Sequence, residues 1–244
     1  DDAQRIHIKY IGSSDEIRKW AGKFDADLEE VELTSQFRCD GSDGYLAWID
    51  NVLGIRETAN YELSEINYDF RVFDSPSDLR DVIFEKNESN NKSRLVAGYC
   101  WDWISKKDSD LKDISIPGFD FSMQWNLGDD GMLWMIKENS VHQIGCIHTC
   151  QGLELDYVGV IIGPDMLWEK GEMFTDPTAR SNQDRSIFGW KKQMKTNPEE
   201  TKAKLDSIIR NTYRTLMTRG MKGCYVYAVD KELNEYLKAA INGT

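Results

Sequence analysis

The chain has 244 residues, 40% hydrophobic and 30% charged, enough for one large domain or two small ones with an ample core. No apolar run approaches the ~20 residues a membrane-spanning helix needs. Five scattered Cys without a Cys-x-x-Cys pair fit reduced cytoplasmic thiols better than a disulfide framework. The formal net charge of −12 counts against a dedicated nucleic-acid-binding module, which is usually basic.

The chain opens at Asp1 without a signal peptide and reads as an internal portion of a longer protein. Arg5 to Ile11 alternates like a strand, and Ser13-Ser14-Asp15 caps a short helix through Lys23. Glu29 to Leu33 reads as a strand running into Thr34-Ser-Gln-Phe-Arg38. Gly41 to Leu53 is helical, with Tyr45, Ile49 and Leu53 at steps of four and Gly54 as its stop. A strand at Phe70–Phe73 leads through a Ser-Pro turn into a helix with Leu79, Val82 and Ile83 inward; Arg94–Cys100 is a central strand. Residues 101–140, rich in Trp and Asp, have little periodicity and read as an insertion. Tyr157–Gly163 is a buried strand, Glu169–Lys195 a polar, loop-rich stretch. Pro198–Arg219 is a long helix with Asn197 as cap and Gly220 as end, followed by a strand at Cys224–Val229 and a helix at Lys231–Ile241. The alternation predicts an α/β fold with a mostly parallel sheet and helices on both faces.

Several places can carry chemistry. On the long helix, Leu205, Ile209, Thr212 and Leu216 form one stripe whose next step is Arg219. A guanidinium buried there needs an anion, whereas an exposed one merely suits a helix C-terminus. Arg38 follows a strand, where a guanidinium binds phosphate or pairs with an acid. Cys146, His148 and Cys150 share a face if extended and, with His142, offer zinc ligands or else two buried thiols and a polar His. In the Gln151-Gly-Leu-Glu154 turn, Gly152 permits close backbone approach to a ligand and Glu154 can accept from ribose hydroxyls. The chain contains no Gly-x-x-x-x-Gly-Lys-Ser/Thr phosphate loop, nucleophile elbow or His-Glu-x-x-His.

Taken in order, these pieces resemble the second half of a superfamily-one helicase motor. Asp1-Asp-Ala-Gln4-Arg5 is similar to motif III, Leu33-Thr-Ser-Gln-Phe-Arg38 to motif IV, His148-Thr-Cys-Gln-Gly-Leu-Glu154 to motif V, and Tyr213-Arg-Thr-Leu-Met-Thr-Arg219-Gly to motif VI. The phrases Gln36–Cys39, Ala97–Trp103, Gln151–Val160 and Tyr213–Gly220 resemble more closely a bacterial and archaeal family of unknown function in the Schlafen-like helicase group. The resemblance covers nearly the whole chain.

It implies a RecA-like P-loop NTPase second domain at 29–244, with the insertion around 101–140, and the end of a first RecA-like domain at 1–28. ATP would lie between the two domains, with phosphate loop and Mg²⁺ ligands upstream. Arg38 and Arg219 would be arginine fingers, Gln4 would sense the γ-phosphate, and Gly152 with Glu154 would hold nucleotide. His148 and Thr149 would lie near a single strand of DNA or RNA. The implied activity is nucleic-acid-stimulated ATP hydrolysis, with no metal site and no membrane in this chain. Motors of this kind often carry Thr at the place of Cys146, Lys or Arg at that of Thr149, and Tyr at that of Arg214. A different reading is a non-catalytic interaction module on a degenerate RecA-like fold, with Trp101, Trp103, Trp125 and Trp134 either at a partner surface or in the core.

Overall fold

The computed structural model describes residues 5–9, 14–29, 39, 42–59, 62–63, 66–108, 110–126, 134–150 and 154–243. A seven-stranded sheet is assembled from β1 (Asp69–Val72), β2 (Ser93–Ala97), β3 (Ile114–Ser115), β4 (Ser122–Trp125), β5 (Gln143–Gly145), β6 (Leu155–Ile162) and, beyond a hairpin of β7 (Met166–Glu169) and β8 (Glu172–Thr175), β9 (Gly220–Ala228). The order is β1-β9-β6-β2-β5-β4-β3, parallel throughout except for β3 against β4. The expected central strand at Arg94 therefore holds, and the stretch 101–140, expected as an insertion, supplies the outer strands β3 and β4.

The central strands are buried on both faces, as parallel sheets between helices must be. Leu95, Ala97, Ile161, Tyr225 and Tyr227 face α3 (Pro76–Glu88), packing with Leu79 and Ile83. Val96, Val158, Val160, Cys224 and Val226 face the other side. There they meet α2 (Asp43–Val52), α6 (Pro198–Met217) and α7 (Lys231–Ala240), through Trp48, Ile49, Ile209, Leu216 and Leu237. Alternation with period two thus sorts each strand between two cores. Tyr45, Ile49 and Leu53 are all inward, as is the stripe Leu205, Ile209, Thr212 and Leu216.

Four expectations need correction. Residues 5–9 alternate in burial, Ile6 and Ile8 inward, but form no strand. Their hydrogen bonds go instead from Ile8 N to Ser186 O (2.7 Å) and from Asn211 Nδ2 to Arg5 O (3.1 Å). Asn197 caps α6 with its carbonyl, which accepts from Thr201 N at 3.0 Å and Thr201 Oγ1 at 2.6 Å, rather than with its side chain. Gly220 opens β9 instead of ending α6, whose C-cap is Thr218. The stretch from Glu169 to Lys195 holds most of the β7–β8 hairpin, turned at Lys170-Gly171 with both φ positive, and α5 (Trp190–Thr196). The strand expected at Glu29–Leu33 lies outside the described residues apart from its first residue. Among the described residues no helix is long and apolar enough to cross a membrane.

Candidate functional site

Two edges of the sheet collect the candidate residues. At the N-terminal edge, β6 and β9 start side by side. Leu155 N donates to Arg219 O at 2.9 Å, and Leu155 pairs with Gly220. This sets Glu154, exposed, beside the end of α6. Between Gly220 and Gly223 the register slips against Leu155 and Tyr157, a bulge that holds the start of β9 close to itself. A Cβ on Gly220 would meet Gly223 O at 2.1 Å, so only glycine fits.

Arg219 is 4% exposed, so it is the buried guanidinium considered from the helix spacing. Its Nε donates to Thr215 O at 2.9 Å, one turn back on α6. Its charge also reaches Cys150: burial, with Cys146 adding, pushes that thiol well up, and Arg219 pulls it back. A third segment arrives here from far away in sequence. Cys39 Sγ donates to Thr218 O at 3.9 Å, and Tyr45 of α2 donates its hydroxyl to Met217 O at 3.0 Å. Cys39, Glu154 and the end of α6 with Arg219 therefore come to one edge. Gln4, Arg38 and Gly152 themselves lie outside the described residues.

His148 and Thr149 follow β5, at the opposite, C-terminal edge. Residues Ile147–Cys150 make one helical turn, α4, not the extended strand on which Cys146, His148 and Cys150 would share a face. Cys146 joins the α3-side core and Cys150 the α6-side core, while His148 stays in solvent. The zinc reading loses its geometry, and among the described residues no group of three or more His, Cys, Asp or Glu is arranged to hold a metal ion. Thr149 Oγ1 donates to Asn126 Oδ1 at 2.9 Å. His148 Nε2 lies 3.8 Å from Asp184 Oδ1.

That Asp184 belongs to a buried cluster which the sequence reading passes over. Arg180 bridges two carboxylates, Asp184 at 2.6 Å and Asp165 at 3.3 Å, all with side chains sealed from solvent. Burial alone would raise Asp184; contact with His148, the Arg180 charge and the Ser186 hydrogen bonds outweigh it and hold the carboxyl below its usual range. Asp165, farther from the shared cation, is raised by its burial in spite of Arg180 and Tyr213. Tyr213 on α6 donates to Asp165 and accepts from Gly163 N at 2.9 Å, just past β6. The available signals were the Pro-Asp step directly after the β6 strand and the i,i+4 spacing of Arg180 and Asp184. Close by, His7 is held below its ordinary pKa by burial and by the charge of His148, with Asp184 opposing. The segment 5–9 therefore borders the same edge.

Of the four Trp considered as a partner surface, Trp125 and Trp134 are fully buried and Trp101 and Trp103 half-buried. Trp125 Nε1 donates to Trp101 O at 3.1 Å within the core beneath β4. Arg214 ties α6 to α2 by pairing with Asp50, which also takes Arg56 at 2.8 Å.

The family described as "Schlafen group 3, DNA/RNA helicase domain" matches residues 1–230. In Saccharomyces cerevisiae, "Uncharacterized protein YPL245W" is 28% identical over 220 residues, covering 84% of this chain and 47% of that protein. The chain thus spans about half the length of this curated relative. No solved structure matches. With mostly parallel strands between two helix layers and a family match over nearly its whole length, the chain belongs to the Schlafen group 3 DNA/RNA helicase domain family.

Proposed function

We propose that this chain is the C-terminal motor portion of a nucleic-acid-dependent ATPase, completing an ATP site at the N-terminal edge of its sheet. Residues 29–244 act as the second RecA-like domain and 1–28 as the end of the first. The observation that carries the reading is the meeting of Cys39, Leu155 and Arg219, three segments far apart in sequence, at one edge. Arg38 is the immediate neighbour of Cys39 in sequence.

ATP supplies the phosphoryl group that is transferred. The chain has no phosphate loop, and among the described residues no metal cluster, so the phosphate cradle and Mg²⁺ ligands are assigned to the upstream half. Arg38 and Arg219 direct fixed positive charge at the transferring group, a role worth roughly 10³–10⁵ in rate in comparable sites. Arg219 suits it because its Nε is already held by Thr215 O, so the fork costs little further ordering. Glu154 accepts from the ribose, Gly152 lets backbone approach, and Gln4 reports the γ-phosphate. His148 and Thr149, at the far edge, lie along the single strand.

The reading is tested by ATP turnover of two proteins: this chain alone and the full-length protein. The full-length protein is expected to hydrolyse ATP faster with single-stranded DNA or RNA, and the chain alone not at all. Turnover by the isolated chain at ordinary enzyme rates, or a full-length protein indifferent to any strand, would contradict it.

A further inference from the structure

The surface next to the C-terminal edge carries an aromatic shelf that the motor motifs do not explain. Trp20 in α1 (Ser14–Lys23) and Phe24 just after it stand 48% and 69% exposed. They stack with ring centroids 5.7 Å apart and planes 13° from parallel. Lys23 Nζ lies 4.6 Å from the Trp20 centroid and 5.8 Å from that of Phe24. A groove of about 740 Å³ runs beside them, floored by Ile8, Ile17 and Ala21 and rimmed by Arg5, Lys9 and Lys204 with one acid, Glu16. Lys9 in turn lies over the exposed ring of Phe188, 5.2 Å from its centroid.

Charge decides what this face suits. The whole chain has 30 Lys and Arg against 42 Asp and Glu, yet the groove is lined by Arg5, Lys9 and Lys204 against one acid, Glu16, with Lys23 on the rings beside it. An apolar protein partner needs the rings but not the row of cations. A single strand uses both: its bases stack on exposed rings regardless of sequence, and its phosphates take the lysines. The shelf is also contiguous with the edge that holds His148, because residues 5–9 line the groove and border Asp184 through Ile8 and Ser186.

We propose that Trp20, Phe24 and Phe188, with Lys9 and Lys23, form a base-stacking platform for single-stranded nucleic acid. The proposal rests on the nucleic-acid-dependent reading above and gives it a contact surface outside the helicase motifs. The test is fluorescence anisotropy of a labelled oligothymidylate and an oligouridylate, each of about 20 nucleotides, long enough to span such a groove. Trp20→Ala/Phe24→Ala is expected to weaken binding at least about tenfold, the loss that one or more stacked bases produce. Trp20→Phe should keep most of the affinity, and thermal melting should show all variants folded. Lys23→Glu should weaken binding further at low salt than at high salt. Unchanged affinity in the double variant overturns the platform and leaves the shelf as a protein-facing surface; absence of any oligonucleotide binding overturns it too. Strand affinity of the full-length protein without ATP tests the shelf, and ATP turnover tests the ATP reading, so the two failures are separable.

Discussion

Tyr213 joins three strand ends through one hydroxyl. It donates to Asp165, accepts from Gly163 N, and lies where a Cβ on Gly98 would stand, 2.0 Å from it. The Ala97–Trp103 and Tyr213–Gly220 phrases therefore share, at Gly98 and Tyr213, one packing contact. Gly98→Ala is expected to cost about 1–3 kcal/mol by overpacking. Because the clash is with the hydroxyl, part of that loss should vanish in a Tyr213→Phe background; strictly additive losses in urea titrations would contradict the contact. Arg94 gives a second residue-scale lesson. A buried Arg was expected to require an anion, yet Arg94, wholly buried, is met by neutral oxygens, including Asn87 Oδ1 at 2.5 Å, Asn91 Oδ1 at 2.8 Å and Met135 O at 2.6 Å. Burial lowers its pKa to about 10. Amide oxygens of side chains and backbone can stand in for a carboxylate when enough of them converge, which spacing in a sequence does not reveal.

At the scale of elements, what was readable followed periodicity. The stripes on α2 and α6 and the two-sided strands β2, β6 and β9 were legible because burial on a helix or a parallel strand imposes a repeat. The elements that were missed take their bonds from elsewhere. Residues 5–9 have strand-like burial but bond to a loop and a side chain, β3 and β4 are too short to show a period, and β9 begins early because a bulge accommodates Gly220. The Arg180 cluster that fastens the segment after β8 to the end of β6 has no periodic signature at all. Arg180→Met should leave two buried carboxylates without their cation and destabilise by about 3–5 kcal/mol. The pH dependence has a definite sign. Asp184 is depressed in the folded protein, so its contribution is full above the ordinary carboxylate value of about 3.9 and is lost as the pH falls toward the folded value. Asp184→Asn, though less stable at neutral pH, should therefore lose less stability than wild type between about pH 4 and pH 2. Equal acid losses in the two proteins would contradict the assignment.

For the whole molecule, parallel topology separates two edges: His148 follows β5 at one, and Glu154 precedes β6 at the other. The family was legible from four phrases in order, and the mostly parallel α/β architecture from the alternation of strand-like and helix-like segments. The placing of His148 and Glu154 at opposite edges was not, because it depends on where β5 ends and β6 begins. Nor was the proximity of Cys39 to Thr218, 179 residues apart. The central claim is that the N-terminal edge supplies positive charge to an ATP site shared with an upstream domain. It is tested most directly by strand-stimulated ATP turnover of the full-length protein carrying Arg219→Ala, with melting temperature and strand affinity measured on the same samples. The expected result is a fall in kcat of at least about 100-fold, with folding and strand binding retained. Turnover at the wild-type rate in a folded Arg219→Ala protein would contradict the account.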